Sequence, residues 1–230
     1  MAALRGVVDF DGIAGAYRWM EYASVGPMLE RVRWWWLDRG ELDGARYALV
    51  LGDGDGRFTR RLLLKNQQVR VTAVDLSGKM LRLLERRCRV DSERLRTVQR
   101  DVRGEIPERG MDLVVTHFLL DCLADDEVEA LVRRVRASLR PGANWVVSEF
   151  AIPSGMLRYP ARLLVRGLYF VFYMLTGLQV SQLPDHADAL RRCGFSAIGK
   201  RAFWGGLLVT ELWRLEPEAK SPKSQLSGAR

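Results

Sequence analysis

The stretch Ala48-Leu49-Val50-Leu51-Gly52-Asp53-Gly54-Asp55-Gly56-Arg57-Phe58 decides the fold of this chain. An apolar run of strand length enters a glycine-rich turn, and the residues after the turn predict the start of a helix. Glycines at 52, 54 and 56 let the backbone turn tightly and approach a ligand that any Cβ would push away. The following helix directs its unpaired N–H groups at the same place.

A second apolar run, Val71-Thr72-Ala73-Val74, ends on the carboxylate of Asp75. Asp75 lies roughly 20 residues after the last glycine, where an acid in a nucleotide-binding βαβ unit binds the ribose hydroxyls. The glycine turn and this carboxylate together predict a site for a nucleoside cofactor.

The charge of the turn indicates which cofactor binds. Asp53 and Asp55 would place two negative charges where a dinucleotide brings its pyrophosphate, and like charges repel at short range. The spacing G-x-G-x-G is also one residue short of the dinucleotide fingerprint. S-adenosylmethionine has no phosphate, and its sulfonium and ammonium groups suit an acidic turn. We therefore expect S-adenosylmethionine; the alternatives are a dinucleotide or another nucleotide, and a turn without a ligand.

These motifs resemble those of the class I S-adenosylmethionine-dependent methyltransferases, which have a Rossmann-like, seven-stranded fold. The resemblance covers about residues 9 to 215, although the family often has an acid where this chain has Val50. It implies that the turn cradles the methionine part of the cofactor, that Asp75 binds the ribose, and that His117 lies on the methyl-transfer face. The cofactor-binding residues implied are Gly52, Asp53, Gly54, Gly56, Asp75, Leu76, Met80, Asp101, Val102 and His117.

A shorter motif near the start, Phe10-Asp11-Gly12-Ile13-Ala14, is similar to the methyltransferases of ubiquinone and menaquinone biosynthesis. The C-terminal half does not follow the pattern of that group closely.

The alternation of strand and helix patterns predicts an α/β fold. We expect a Rossmann-like, doubly wound, mainly parallel seven-stranded sheet with an antiparallel C-terminal hairpin. The predicted strands lie at about 47–51, 70–74, 96–99, 111–116, 145–148, 195–203 and 207–214. The predicted regions are an N-terminal helical cap (1–40), the methyltransferase domain (41–215) with a helical substrate or lid insertion at about 154–180, and a disordered tail (216–230).

Composition limits the partners and the setting. The 230 residues carry a net charge of +8, but much of the positive charge falls on expected solvated helix faces. We therefore do not expect nucleic acid as a partner, and the sequence leaves the oligomeric state open. Three widely spaced cysteines and two histidines predict neither a disulfide framework nor a metal centre, and they favour a reducing, cytoplasmic setting.

Two residues are the main candidates for catalysis. Methyl transfer is an in-line displacement, and some acceptors must also lose a proton to a base. His117 is one candidate because its ordinary pKa lies near neutrality; it is otherwise a hydrogen-bonded wall of the cofactor pocket. Asp121 is the other, with helix capping or pairing to an arginine as alternatives. The adjacent Asp185 and His186 form a further candidate pair, although Asp185 is also well placed to cap its helix.

Residues 158–175 combine a basic stripe (arginines at 158, 162 and 166) with an apolar, aromatic run. The run is shorter than the ~20 residues that span a bilayer. Three interpretations stay open: a lid over an apolar substrate, a helix in the core or in a dimer contact, and a membrane-surface element that gives peripheral membrane contact through 158–180.

The sequence therefore predicts an S-adenosylmethionine-dependent methyltransferase that acts on a small, apolar or lipid-like molecule. The alternatives are an RNA or protein methyltransferase, favoured by the basic charge balance, and a non-catalytic cofactor-binding subunit.

Overall fold

The structure is a computed structural model that describes residues 26–153, 155, 158, 159, 163, 167 and 184–217. One sheet contains the strands β1 Tyr47–Leu51, β2 Arg70–Asp75, β3 Leu95–Gln99, β4 Met111–His117, β5 Leu139–Phe150, β6 Phe195–Phe203 and β7 Leu208–Leu215. The strand order is β3-β2-β1-β4-β5-β7-β6. Strands β1 to β5 pair in parallel, and β7 runs antiparallel to both β5 and β6. This confirms the predicted sheet and hairpin.

Helices cover both faces of the sheet. The described residues include α1 Gly26–Asp38, α2 Arg57–Lys65, α3 Gly78–Arg87, α4 Asp125–Ser138 and α5 His186–Arg192. Apolar side chains of α1, α2 and α3 pack with one set of strand residues, and those of α4 and α5 pack with the alternate set. Because successive strand side chains point to opposite faces, each strand residue can be assigned to the α1–α3 face or the α4–α5 face.

The register of the parallel strands brings the predicted motifs together. Leu51, the last residue of β1, pairs with Val74 of β2 and with Thr116 of β4. The residues that follow these three, Gly52, Asp75 and His117, therefore lie side by side at the carboxyl edge of the sheet, where ligands of open α/β sheets bind.

Strand β5 differs from its prediction. It begins at Leu139 rather than near 145, so Pro141 and Gly142 lie inside the strand instead of after the helix. The pairing with β4 is irregular there, and Gly142 has a positive φ of 79°. Such a bulge is one of the few places in a sheet that tolerate a proline, which has no N–H to donate.

Several predictions fall on residues that the structure does not describe. These are most of the N-terminal cap, nearly all of the insertion at 154–180, and residues 218–230. The three interpretations of residues 158–175 therefore stay predictions. Within the described part of the chain, the longest apolar helical stretches fall short of what crossing a membrane requires.

Candidate functional site

The glycine turn after β1 has the conformation that its sequence predicts. Gly52, Gly54 and Gly56 have φ angles of 69°, 62° and 81°. A Cβ at Gly56 would lie 2.5 Å from Cγ of Leu84, and one at Gly52 would lie 3.0 Å from Cδ1 of Leu119. Among the described residues, a Cβ at Gly54 would meet no atom within 4 Å. Packing against Leu84 therefore requires glycine at 56, the positive φ favours glycine at 52, and the face at Gly54 is open towards the described part of the chain.

The carboxylate of Asp75 is held against this turn. One oxygen accepts a hydrogen bond from the backbone N–H of Gly54 at 3.2 Å, and the other accepts from the N–H of Ser77 at 2.9 Å. The backbone N–H of Gly52 donates to the carbonyl of Val74 at 2.9 Å. The end of β2 and the glycine turn thus form one connected backbone unit.

Both carboxylates of the turn have partners within the protein. Asp53 accepts a hydrogen bond from the N–H of Thr59 at 2.8 Å and so caps α2, and burial raises the pKa of Asp53 to about 6. The buried Asp55 forms ion pairs with Arg57 at 3.3 Å and with Arg87 at 2.7 Å. Helix capping and arginine partners engage both carboxylates, so their action on a cofactor stays a prediction.

The remaining implied cofactor residues lie at the ends of β2 and β3. The carbonyl of Leu76 accepts a hydrogen bond from a side-chain amide at the end of β3 (3.2 Å), and the N–H of Met80 donates to the helix-capping serine at 3.2 Å. Val102 is half-buried against the core. The carboxylate of Asp101 pairs with Arg103 at 2.6 Å, and this hydrogen bond holds the pKa of Asp101 below its ordinary value. Their contacts with a cofactor stay predictions.

His117 is a buried, neutral imidazole. It is 4% exposed on the α1–α3 face, and its ring lies edge-on to Phe58 with centroids 4.7 Å apart. Neither ring nitrogen has a hydrogen-bond partner in the part of the chain that the structure describes. Burial, together with the positive charge of Arg33 on α1, lowers the pKa of His117 well below its ordinary value. Sequence reasoning missed Arg33, which also contacts the ring of Phe118 at 5.4 Å from its centroid.

Asp121 lies on the other face of the sheet from His117. It sits in the short helical turn Leu120–Cys122 that follows β4, and its surroundings include His186 of α5. Burial raises the pKa of Asp121 to about 6, although a hydrogen bond from the Cys122 thiol and the charge of His186 oppose this effect. The structure therefore does not bring the two predicted catalytic residues together.

Asp185 and His186 also act separately. Asp185 caps α5 by accepting from the N–H of Asp188 at 3.0 Å, as the capping alternative predicts. His186 Nε2 instead lies 3.1 Å from the carboxylate of Glu211 on β7. Burial favours the neutral form of Glu211, but hydrogen bonds from His186 and Lys200 outweigh it and lower the pKa of Glu211 to about 2.

Sequence reasoning also missed two buried glutamates, Glu149 on β5 and Glu211 on β7. Each is the single acid of its strand and is followed directly by a large apolar residue. That pattern is a usable signal, because a buried carboxyl group requires partners.

Part of this chain is similar to known proteins. A family described as a methyltransferase domain matches residues 48–142. A malonyl-[acyl-carrier protein] O-methyltransferase of Paenibacillus sp. (strain JDR-2) is 28% identical over 154 residues, which cover 65% of this chain and 55% of that protein. The chain thus spans about half the length of this curated relative.

Solved structures with the same fold include two bacterial methyltransferases. An O-methyltransferase family protein of Burkholderia thailandensis superposes with a TM-score of 0.70 at 15% identity, over 92% of this chain and 62% of that one. A TehB-like S-adenosylmethionine-dependent methyltransferase of Corynebacterium glutamicum gives 0.62 at 17% identity, over 90% of this chain and 100% of that one.

The matched domain and the class I fold imply S-adenosylmethionine as the cofactor, as the sequence predicts. Residues 48–142 of this chain match a methyltransferase-domain family, and the sheet has the seven-stranded fold of the class I S-adenosylmethionine-dependent methyltransferases.

Proposed function

We propose that this chain transfers a methyl group from S-adenosylmethionine to a small, apolar or lipid-like acceptor. The observation that carries the proposal is the glycine turn, whose open face at Gly54 is bounded by the Asp75 carboxylate and lies at the same sheet edge as an apolar wall.

The residues around the turn fit the cofactor. The Asp75 carboxylate suits the ribose hydroxyls, and the open face at Gly54 suits a ligand that approaches the backbone closely. Arg33 brings a positive charge to the turn, which suits the carboxylate of the methionine part. When bound, S-adenosylmethionine supplies a methyl group on a positively charged sulfur, which is already an activated leaving group.

An apolar acceptor is supported by the side chains beside the site. The rings of Phe118 and Phe150 lie 5.3 Å apart, and Phe203 packs against the same cluster. Near them Trp204 is 52% exposed and Ile152 is 39% exposed. An apolar surface beside a cofactor site favours apolar ligands. The name of the curated relative puts its acceptor on an acyl carrier protein, which is consistent with a lipid-like group.

Asp121 is the residue that we propose to take the acceptor's proton. It lies on the α4–α5 face, whereas the apolar cluster packs with α1, so in this proposal the acceptor extends across the carboxyl edge of the sheet. A base works best when its pKa lies near the operating pH, and the raised pKa of Asp121, about 6, meets this condition. His117 is the weaker candidate because burial suppresses its charged form, so it would accept a proton only at low pH. In this proposal the His117 ring forms part of the wall on the α1–α3 face.

The test combines a binding measurement with a transfer measurement. Titration calorimetry should show binding of S-adenosylmethionine, and transfer from methyl-tritiated cofactor into a fractionated lysate should label the fraction of small molecules and lipids. Asp121→Asn should bind the cofactor with wild-type affinity but transfer the label at least tenfold more slowly. Label in RNA or protein would contradict the acceptor class, and binding without any label would contradict the enzymatic role.

A further inference from the structure

Three buried acids lie on the α4–α5 face near the carboxyl edge of the sheet: Asp121, Glu149 and Glu211. Glu211 is balanced by His186 and Lys200. Trp213 donates a further hydrogen bond to it at 3.0 Å. These contacts explain why Glu211 is ionised although it is buried. Glu149 has no such cation among the described residues, and the proposed reaction does not use it.

The Glu149 carboxyl group is bound to the loop that follows β4. The side chain is 2% exposed, and its Oε1 accepts hydrogen bonds from the backbone N–H groups of Leu119 at 3.3 Å and Leu120 at 2.9 Å. These amides precede or begin the short helical turn that holds Asp121, where N–H groups have no partner within the turn. Glu149 therefore ties the end of β5 to the loop that carries the proposed base.

The second oxygen of Glu149, Oε2, is buried and meets no hydrogen-bond donor among the described residues. A buried carboxylate oxygen without a hydrogen-bond donor destabilises the folded state. The same atom is satisfied if it carries a proton and donates it, and the neighbouring Asp121 carboxyl group is an acceptor within reach.

The surrounding charges favour this proton. Burial and the negative charge of Asp121 both raise the pKa of Glu149 well above its ordinary value, and two buried carboxylates in contact cannot both stay ionised. The other titratable groups that face this pair are the Cys122 thiol on the loop, His186 on α5, and Glu211 on β7 with its partner Lys200 on β6. The pKa of Asp121 is raised only to about 6, whereas that of Glu149 is raised well above its ordinary value, so the proton resides on Glu149.

The same loop also closes over the glycine turn. The Cδ1 atom of Leu119 lies 3.0 Å from the position that a Cβ of Gly52 would take. Phe118, the residue before Leu119, has a positive φ of 55°. A bulky residue in that region is strained and stays there only when its surroundings hold it. The hydrogen bonds from Leu119 and Leu120 to Glu149 are contacts that can hold it.

We infer that Glu149, in its protonated form, is a positioning residue of the methyl-transfer site: it holds the loop 118–121 against the glycine turn and donates its proton to the ionised Asp121. The inference rests on the proposed function only for the role of Asp121 as the base.

The first experiment counts protons and needs no acceptor. Infrared absorption of protonated carboxyl groups is compared at pH 8 between the wild type, Glu149→Gln and the exposed control Glu216→Gln. We expect Glu149→Gln to lose a band equal to one protonated carboxyl group and Glu216→Gln to keep it. An unchanged band in Glu149→Gln would overturn the inference.

The second experiment separates positioning from mere stability by comparing two variants of similar size. Glutamine imitates the protonated glutamate, since its oxygen can accept from the loop and its NH₂ group can donate to Asp121. Glu149→Gln should therefore retain methyl transfer within threefold of wild type and keep the rise of the rate near pH 6. Glu149→Leu should lower kcat at least tenfold.

Equal loss in both variants would mean that an ionised Glu149 is required and would refute the inference, as would wild-type kcat in Glu149→Leu. If Glu149→Leu does not fold, the Gln variant and the infrared band still decide the question. A wild-type protein that transfers no methyl group at all would refute the proposed function. The infrared experiment would still test whether Glu149 is protonated.

Discussion

Substituting Gly56 by alanine tests why the turn needs glycine. Gly56 has a φ of 81°, and a Cβ there would lie 2.5 Å from Cγ and 2.9 Å from Cα of Leu84 on α3. The left-handed conformation costs an alanine about 1–2 kcal/mol, and forcing a methyl group into packed surroundings costs about 1–3 kcal/mol. Because the nearest atoms include backbone, the neighbour cannot simply rotate away. We expect Gly56→Ala to lower the free energy of unfolding by about 2–5 kcal/mol, measured by urea denaturation.

Gly54→Ala is the matched control. Its φ of 62° imposes the same backbone strain, but its Cβ would meet no atom of the described residues within 4 Å. We expect it to lower the free energy of unfolding by only about 1–2 kcal/mol. The methyl group would project from the face that we assign to the ligand, so Gly54→Ala should weaken the binding of S-adenosylmethionine at least tenfold in a calorimetric titration.

Two results would refute this reasoning. Equal destabilisation by the two substitutions would show that α3 does not pack against Gly56 as described. Wild-type affinity for S-adenosylmethionine in Gly54→Ala would show that the open face is not the cofactor site. The double variant Gly56→Ala/Leu84→Ala adds a further check: removing the opposing side chain relieves part of the clash, so the two losses should not be additive.

Three further predictions concern the ribose acid, the first helix and the response to pH. Asp75→Ala should weaken cofactor binding by about 1–3 kcal/mol, because a charged hydrogen-bonding group is lost; unchanged affinity in calorimetry would remove Asp75 from the ribose role. Gly199→Ala would place a Cβ 2.4 Å from Cη2 of the buried Trp36. It should cost about 1–3 kcal/mol in urea denaturation and shift tryptophan fluorescence, and a wild-type free energy of unfolding would contradict the packing of α1 on β6. Burial raises the pKa values of Asp53 and Asp121 from 3.8 to about 6, so the folded state binds these protons more tightly than the unfolded state. The free energy of unfolding should therefore fall as the pH rises from about 4 to about 6, and Asp121→Asn should remove part of this slope. A slope identical to that of the wild type would show that Asp121 titrates as it does in the unfolded chain.

Local patterns in the chain were sufficient for the fold and for the cofactor. Apolar runs of strand length, the glycines of the turn and the acid ending β2 depend on residues close in sequence. Strand and helix periodicity report such short-range order directly. The parallel α/β arrangement that the alternation predicts then accounts for β1 lying between β2 and β4. The predicted bounds failed mainly in β5, where a bulge accommodates Pro141 that would otherwise end a strand.

Only the tertiary structure decided which charges matter at the site. Asp55 is balanced by Arg87, 32 positions away, and Glu149 meets the N–H of Leu120, 29 positions away. His117 and Asp121 are four positions apart but lie on opposite faces of the sheet. Ionisation depends on burial and on partners from distant segments, and neither is encoded in the local pattern of polar and apolar residues. The sequence therefore determined which edge of the sheet carries the candidate site. Packing determined which side chains at that edge are charged and which are neutral.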